Sequence, residues 1–254
     1  MKIAEEIAQE LKVSIVIPAY NEDEAISACI KRIEHAVTIP HEVIIVVDSI
    51  DDTTIPVVER LHNSYPSVRV IVQDFGPGPA NAIRFGFASA IAPCVVVTMA
   101  DGSDDPTIVE PLAMLVDRGC VIAAASRYMP GGQQIGGPRL KALLSRTAGK
   151  SLKWFAGVDT NDATNSYKAY SRDFVNTVGI DSDSGFEIAI ELVAKARRLR
   201  LPMAEIPTIW LNRDIGESRF QLKAWIPKYL HWYRLAYGPS LTLHQLKKRT
   251  EGNS

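Results

Sequence analysis

The chain has 254 residues, of which 46% are hydrophobic and 22% are charged, a composition typical of a globular protein with a sizeable core. Its formal net charge of −1 gives no basic surplus, so we expect no nucleic-acid partner. Its three cysteines form no CxxC pair and give no indication of a zinc site or a disulfide framework. No apolar run approaches the ~20 residues that a membrane span needs. We expect a cytoplasmic protein that is either soluble or peripheral on the cytoplasmic face of a membrane.

Short apolar runs alternate with segments of helical spacing in the first half of the chain. The runs predict strands at residues 13–18, 42–48, 68–72, 94–99 and 121–126. The spacing predicts helices between them at residues 24–37, 56–64, 79–91 and 105–118. Continuous apolar strands separated by helices indicate an α/β fold in which helices cover both faces of a mostly parallel sheet.

The second half of the chain is less regular. We predict helices at residues 141–156, 186–198 and 220–237, the last interrupted near Pro227, and strands at residues 164–170 and 204–211. No segment resembles a linker. We therefore predict a single domain over residues 1–219, followed by an aromatic and basic C-terminal helix and tail at residues 220–254.

Polar and charged side chains follow the predicted strands at their carboxyl ends. Ligands of parallel sheets bind in the crevice beyond these ends. Acids that converge on one edge of a sheet repel one another unless cations or hydrogen-bond donors offset the repulsion. We therefore expect a ligand site at the edge formed by Tyr20, Asn21, Glu22, Asp48, Asp74, Asp101 and Arg127.

Five motifs follow one another along the chain: PAYNE (18–22), VVD (46–48), MAD (99–101), SRYMPGG (126–132) and RDIGESRF (213–220). Together they resemble the inverting family 2 glycosyltransferases, over residues 12–225, and more closely the branch of dolichol- and polyprenol-phosphate mannose synthases. The resemblance implies the Rossmann-like GT-A fold, hexosyl transfer with inversion, a GDP- or UDP-linked sugar donor, and Mg²⁺ or Mn²⁺ as cofactor. It also implies a donor-binding half at residues 12–128 and an acceptor half at residues 129–219.

The resemblance places the nucleoside beyond the first three strands. Tyr20 can stack on a base and Glu22 can accept hydrogen bonds from base or ribose, while the alternative is a plain helix start. In DSIDDTT, Ser49 replaces the second acid of the family pattern, and we expect Asp51 and Asp52 to be turn and cap residues. The nucleotide-binding candidates are Pro18, Tyr20, Glu22, Asp48, Asp74 and Gly78.

The segment GPGPA, at residues 76–80, lies between the third strand and the next helix. Its glycines would let the backbone approach a nucleotide, and a helix N-terminus favours an anion. Pro77 stands where the family often has a lysine, so a plain turn is the alternative to a donor contact.

Asp101 is the predicted metal ligand. In sugar transfer a divalent cation neutralises charge on the departing diphosphate, and magnesium takes one or two carboxylates together with phosphates and water. Asp101 matches the second acid of the family's Asp-x-Asp motif, while Met99 replaces the first. Ser103 falls where some relatives have another oxygen ligand. We expect Asp104 and Asp105 to start the next helix, because proline follows them and is favoured in a first helical turn.

The phosphate and acceptor candidates lie in the second half of the chain. Arginines provide planar, bidentate contacts to phosphate, although most arginines only solvate a surface. The resemblance implies that arginines at these positions contact the donor diphosphate and the acceptor phosphate. Besides Asp101, the catalytic candidates are Arg127, Arg213 and Glu187, of which the last could equally be a helix-start acid. The sugar and acceptor candidates are Asp162, Ser218 and Arg219.

The acceptor decides whether a general base is needed. A polyprenyl or dolichyl phosphate is already an anion, whereas a saccharide or small hydroxyl acceptor must lose a proton, for which Glu187 or Asp104 would be the first candidates. Met99 and Pro77 leave open a nucleotide-sugar-binding protein with little or no turnover. A nucleotidyltransferase has a similar sheet, but PAYNE argues against that class.

Aromatic and basic residues are mixed along the predicted helix at residues 220–237. Such a mixture suits a membrane interface and would fit a lipid-phosphate acceptor. The alternatives are a helix that packs on its own domain and a contact in a homodimer.

Overall fold

A seven-stranded sheet forms the centre of the protein, for which a computed structural model describes residues 11–22, 24–183, 185–212 and 222–251. The strands are β1 (Val13–Pro18), β2 (His41–Val47), β3 (Val68–Val72), β4 (Cys94–Val97), β5 (Ile122–Ser126), β6 (Gln133–Ile135), β7 (Lys168–Ser171), β8 (Met203–Pro207) and β9 (Ile209–Leu211). The main sheet has the order β3-β2-β1-β4-β7-β5-β8, and β6 and β9 form a separate two-stranded ribbon.

Helices flank the sheet, as the alternating pattern predicts. They are α1 (Glu24–Ala36), α2 (Thr54–His62), α3 (Pro79–Ser89), α4 (Val109–Asp117), α5 (Arg139–Ser151), α6 (Arg172–Val178), α7 (Ile188–Leu199), α8 (Leu222–Ala236) and α9 (Leu243–Glu251). Among the helices of the described ranges, none combines the length and the apolar character that crossing a membrane requires.

The predicted mostly parallel sheet is confirmed. β1 pairs in parallel with β2 and β4, β2 with β3, and β5 with β8, whereas β7 runs antiparallel between β4 and β5. The carboxyl ends of β1 to β5 therefore lie along one edge of the sheet. Every ligand candidate that follows one of these strands is brought to that edge.

Each face of the sheet has its own apolar core because alternate strand residues point to opposite faces. On β1, Val16 packs on one face and Ile15 and Ile17 on the other. Gly86 of α3 lets that helix approach the first face closely, since a Cβ at this position would lie 2.3 Å from a methyl group of Val16. This packing fixes α3, and with it the loop that precedes α3, against the sheet.

Three predicted elements differ from the structure. The strand predicted at residues 164–170 begins only at Lys168, because Asn165 instead donates a side-chain hydrogen bond to the Ala125 carbonyl. The strand predicted at residues 204–211 is divided at Thr208 into β8 and β9, which belong to different sheets. The predicted interruption at Pro227 is wrong: α8 continues through it, and Trp232 is buried in its C-terminal half.

Candidate functional site

The loop that follows β1 is fastened to the start of α2. The backbone N–H of Asn21 donates to both Asp52 carboxylate oxygens at 3.1 Å, and the N–H of Glu22 donates to the Thr54 hydroxyl at 3.0 Å. Asp52 also accepts the N–H of Thr54 at 2.9 Å, as expected of a turn residue, whereas the N-cap position of α2 is taken by Thr53. These bonds hold the loop open at the strand edge, with the Tyr20 side chain 52% exposed.

Asp48 holds the glycine loop that precedes α3. One of its carboxylate oxygens accepts the Gly78 N–H at 2.9 Å, and the other accepts from the Gln73 side chain at 2.8 Å. Gly78 has a φ of 123°, a conformation that L side chains rarely adopt, so a glycine is required there. Asp74 lies exposed in the same loop. Because a carboxylate has about four acceptor positions, Asp48 can still accept from a nucleoside.

The loop from Asp101 to Asp105 follows β4. The Asp101 carboxylate accepts the Ser103 N–H at 3.1 Å, and Gly102 makes the turn between them with a φ of 68°. Arg32 of α1 fixes the outer side, donating to the carbonyl of Gly102 at 2.6 Å and to that of Asp104 at 3.2 Å. The sequence gives no local sign of this role for Arg32, which lies 70 residues before Gly102.

The two acids after this turn have different roles. Asp105 starts the next helix as predicted, because its carboxylate accepts the Thr107 N–H at 3.0 Å. The same prediction for Asp104 is wrong. Its carboxylate points inward, is buried, and accepts the Thr98 hydroxyl at 2.8 Å. Burial raises the pKa of Asp104 to about 6, while the Thr98 hydrogen bond opposes this rise and the charge of Asp101 adds to it.

The oxygen atoms of this loop could supply part of the coordination shell of a divalent cation, and a phosphate ligand would supply further oxygens. In the described part of the chain, no group of three or more His, Cys, Asp or Glu side chains is placed to hold a metal by itself. The Ser103 hydroxyl, however, is buried and has no hydrogen-bond partner among the described residues. Beside the Asp101 carboxylate it supplies a second hard oxygen, and magnesium commonly takes few protein ligands and fills its shell with phosphate and water.

Arg127, directly after β5, is held by a buried ion pair. Its guanidinium donates to the two Asp162 carboxylate oxygens at 2.7 and 2.9 Å, and its backbone N–H donates to the same carboxylate at 3.0 Å. Burial alone would lower the pKa of Arg127, but the adjacent Asp162 charge outweighs burial and raises it. Asp162, predicted to accept from a sugar hydroxyl, is fully buried and in this structure orients Arg127.

The loop that carries Asp162 rests on charged groups that the sequence prediction missed. Lys168 of β7 is fully buried and donates from Nζ to the carbonyls of Ala163 and Asn165. Burial lowers the pKa of Lys168 to about 7. Glu205 of β8 accepts the backbone N–H of Asn161 at 2.7 Å. A lysine in a strand usually lies at a surface, so only its placement between two central strands reveals the role of Lys168.

Glu187 lies immediately before α7 and is buried. One of its carboxylate oxygens accepts the Gly185 N–H at 3.2 Å, and the other has no hydrogen-bond partner among the described residues. It makes no side-chain cap of the helix, so the alternative of a simple capping acid is not supported. The predicted phosphate and acceptor residues Arg213, Ser218 and Arg219 lie outside the described residues.

The C-terminal helix α8 packs on its own domain. Trp232 and Leu235 are buried, and the Lys195 ammonium of α7 lies 5.4 Å from the centre of the Trp232 ring. Arg198 of α7 donates to the Leu235 carbonyl at 2.7 Å. Of the alternatives for this helix, the structure favours packing on the domain over a membrane interface for the described C-terminal half.

Known proteins resemble this chain over most of its length. The sequence profile of glycosyl transferase family 2 matches residues 14–179. The polyprenol monophosphomannose synthase of Mycolicibacterium smegmatis is 30% identical over 211 residues, which cover 81% of this chain and 79% of that protein. The dolichol-phosphate mannosyltransferase of Pyrococcus furiosus is 30% identical over 230 residues, which cover 89% of this chain but only 64% of that protein.

Solved structures share the fold. A complex of glucosyl-3-phosphoglycerate synthase from Mycobacterium tuberculosis with Mn²⁺, UDP and glucosyl-3-phosphoglycerate superposes with a TM-score of 0.65 at 20% identity, covering 94% of this chain and 84% of that one. The complex of that enzyme with Mg²⁺ and UDP gives a TM-score of 0.63 at 20% identity, covering 95% of this chain and 84% of that one. At such low identity the similarity establishes the fold alone.

Proposed function

Because the chain belongs to glycosyl transferase family 2, we propose that it transfers a hexose from a nucleotide-diphosphate sugar to a polyprenyl phosphate with inversion at the anomeric carbon. The named relatives, a polyprenol monophosphomannose synthase and a dolichol-phosphate mannosyltransferase, support this choice of acceptor. GDP-mannose is accordingly the first donor to test, and UDP-sugars are the next.

The observation that carries the proposal is the placement of two charge-stabilising elements on one edge of the sheet. The loop of Asp101 and Ser103 follows β4, and Arg127 follows β5, with β7 between these strands. Two strand spacings separate the elements by about 10 Å, a distance that a nucleotide diphosphate and its sugar can span. Arg127 stays charged because a guanidinium keeps its proton at any physiological pH, and Asp162 fixes its orientation.

The donor would occupy the first half of the edge. The exposed Tyr20 ring would stack on the base, Asp48 would accept from base or ribose, and the Gly78 loop would border the diphosphate. Asp101 and Ser103 would hold Mg²⁺ or Mn²⁺, which when bound supplies positive charge to the departing diphosphate. Arg127 would stabilise part of the negative charge that develops on the departing diphosphate.

A polyprenyl phosphate can attack without a protein base. Its phosphate oxygen is already anionic at neutral pH, so the new bond to the anomeric carbon forms as the bond to the diphosphate breaks on the opposite face of the sugar. Such a displacement inverts the anomeric carbon and releases the nucleoside diphosphate. Arg213, Ser218 and Arg219 remain proposed contacts to phosphate.

One observation favours a second candidate, transfer to a hydroxyl of a saccharide or small molecule. Asp104 lies in the metal loop next to Ser103 and is a candidate general base, because burial raises the pKa of its carboxyl above the ordinary value. Such a reaction would need a general base, whereas transfer to a lipid phosphate would not.

The test is a turnover assay that crosses GDP- and UDP-sugars with a short-chain polyprenyl phosphate, with and without Mn²⁺. We expect a glycosyl phospholipid product from one donor, and its loss when the metal is chelated. Melting temperatures measured with GDP and with UDP show which nucleotide binds, because a ligand that binds the native state raises its stability. Nucleotide binding without turnover on any acceptor would instead support the binding protein that Met99 and Pro77 leave open.

A further inference from the structure

Side chains from outside the metal loop, which comprises residues 101–105, hold the backbone of this loop in place. Arg32 of α1 donates from its guanidinium to the carbonyls of Gly102 at 2.6 Å and Asp104 at 3.2 Å. Tyr167, which is buried directly before β7, donates its hydroxyl to the Asp105 carbonyl at 2.7 Å. Two segments that lie far from this loop in the sequence therefore fix its shape.

The carbonyls of residues 102–105 all accept hydrogen bonds from groups outside the loop. Between the two carbonyls that Arg32 contacts, the Ser103 carbonyl accepts the Leu211 N–H of β9 at 3.0 Å. None of these bonds uses the Asp101 carboxylate or the Ser103 hydroxyl, which are the predicted ligands of the cation. The loop is thus anchored through its backbone, independently of the side chains that would bind the cation.

Helix α1 connects the metal loop to the proposed nucleoside site. It begins shortly after the PAYNE segment that carries Tyr20. Cys29 and Arg32 lie three residues apart, a spacing that places both on one face of this helix. The Cys29 sulfur lies 3.5 Å from the Met99 carbonyl oxygen, just before the metal loop. One rigid helix therefore borders the segment proposed for the nucleoside at its start and the metal loop along its length.

We propose that Arg32 and Tyr167 are positioning residues for the divalent cation, a role that rests on the proposed function. They hold the metal loop in the shape in which the Asp101 and Ser103 oxygens receive the cation, without contacting the cation themselves. Met99 stands in place of the first acid of the family motif, so Asp101 is the carboxylate that the motif retains. A site with few protein ligands depends strongly on their being in place before binding, because few bonds must then offset the cost of ordering them.

The positive charge of Arg32 acts in the opposite direction, since it repels a cation. Arg32 is exposed, however, and water and salt screen the charge of an exposed group. Its two hydrogen bonds to the loop carbonyls are charge-assisted and act on the loop directly. We therefore expect positioning to outweigh repulsion, so that the loss of Arg32 weakens cation binding.

Nucleotide binding with and without Mn²⁺ measures this effect separately from turnover. Titration calorimetry of the full chain with GDP and with UDP, each in excess Mn²⁺ and in EDTA, gives the factor by which Mn²⁺ strengthens nucleotide binding. Arg32→Met should reduce this factor about tenfold, because two charge-assisted hydrogen bonds to the loop are lost. Arg32→Lys should recover part of the loss, since an ammonium keeps the charge but cannot donate as a planar fork. Tyr167→Phe should reduce the factor about fivefold, which corresponds to the loss of one neutral hydrogen bond.

Matched controls remove the same chemical groups elsewhere in the chain. Arg118 is exposed at the end of α4, and the Tyr233 hydroxyl of α8 lies 2.8 Å from that of Tyr237. Arg118→Met and Tyr233→Phe should keep the full effect of Mn²⁺, and every variant should bind nucleotide in EDTA like the unchanged protein.

Three results would overturn the proposal. In the first, Arg32→Met and Tyr167→Phe match the controls, or Mn²⁺ strengthens nucleotide binding by no form of the protein. In the second, the two variants lose affinity equally with Mn²⁺ and in EDTA, which would show a general structural role. In the third, Mn²⁺ acts more strongly on Arg32→Met than on the unchanged protein, which would show that repulsion by the guanidinium dominates.

A transfer assay separates this proposal from the proposed function. Arg32→Met should need about tenfold more Mn²⁺ for half-maximal turnover, with a much smaller loss of rate at saturating Mn²⁺. If turnover of the unchanged protein depends on Mn²⁺ but Arg32→Met needs no more of it, the positioning role fails and the proposed function stands. If the variants lose the effect of Mn²⁺ on nucleotide binding while the unchanged protein transfers sugar to no acceptor, the proposed function fails and the positioning role stands.

Discussion

The sheet edge at the carboxyl ends of the strands has two halves. The first half comprises the loops that follow β1 to β4, and the second comprises the loop that follows β5 together with the segment that carries Asp162. The two halves hold their loops by different means. In the first half, carboxylates accept backbone N–H groups of neighbouring loops, as Asp48 does from Gly78. In the second half, a buried ion pair joins Arg127 to Asp162, and buried Lys168 supports the same loop. A backbone hydrogen bond to a partly exposed carboxylate is modest in energy, whereas a buried charge without its partner is costly.

The difference suggests a division of roles. Under the proposed function the loops of the first half border the nucleotide, while the buried ion pair of the second half holds Arg127 in one position. Substitutions in the second half should therefore act mainly on folding, and those in the first half mainly on ligand binding or turnover.

The largest expected effect on stability comes from breaking the buried pair. Asp162→Ala leaves the Arg127 charge buried and unpaired, and should lower the free energy of unfolding by about 3–5 kcal/mol. Asp48→Ala, the matched change in the first half, should cost only about 1–2 kcal/mol. Urea unfolding measures the loss of unfolding free energy in both variants. Equal losses would contradict the inference that the two halves are held by interactions of different strength.

Asp101→Ala tests the metal loop of the first half. If Asp101 holds the cation on the diphosphate, turnover should fall by on the order of 10²–10³-fold, because charge on the leaving group is no longer neutralised. Stability should change less than in Asp162→Ala, since Asp101 is only half-buried and accepts a backbone hydrogen bond from within its own loop. Asp117→Ala, at an exposed acid on α4, is the control. Near-normal metal-dependent turnover in Asp101→Ala would show that Asp101 is not a ligand of the metal.

The first half of the edge could be predicted because its signals are local. Apolar β-branched runs end in acids or turns, and parallel pairing brings those ends together whatever the exact register. The glycine at position 78 and the turn role of Asp52 also follow from short segments. Even here Asp104 was misassigned, since a local pattern of two acids before proline favours caps, while Thr98, six residues earlier, draws this side chain inward.

The second half could not be predicted in the same way because its contacts join distant segments. Arg127 meets Asp162 across 35 residues, and Glu205 meets Asn161 across 44. These contacts exist because β7 enters antiparallel between β4 and β5, an arrangement that no periodicity encodes. The outward orientation of Leu140, Leu143 and Leu144 on α5 was missed for a related reason. Their spacing matches a core-facing helix, and only the close approach of Gly149 to Asn161 shows that the other face is inward.

Lys168 should make the free energy of unfolding depend on pH through the second half of the edge. Burial lowers its pKa to about 7 in the folded protein, whereas the unfolded chain keeps the proton up to the ordinary value of 10.5. Between these values the unfolded state binds more protons, so the contribution of Lys168 to stability rises with pH, by at most about 1.4 kcal/mol per unit.

Lys168→Met should remove this rise. Urea unfolding from about pH 6 to about pH 9 should show the unchanged protein gaining stability relative to Lys168→Met above pH 7. Below pH 7 the difference between the two proteins should be constant, because Lys168 is then protonated in both the folded and the unfolded state. If the free energies of unfolding of the two proteins instead run parallel over the whole pH range, Lys168 keeps its proton in the folded protein. Burial would then not lower its pKa as expected.

The smallest expected effect lies in the first half, at Tyr20. Because its side chain is 52% exposed, Tyr20→Ala should leave the unfolding free energy nearly unchanged. It should weaken nucleotide binding by about tenfold, since stacking of a base on an aromatic ring is worth about 1–3 kcal/mol. Tyr20→Phe keeps the ring and should bind GDP or UDP like the unchanged protein in a titration. If Tyr20→Phe is as weak as Tyr20→Ala, the hydroxyl rather than stacking carries the contact, and a polar contact would then dominate nucleoside recognition on this side of the edge.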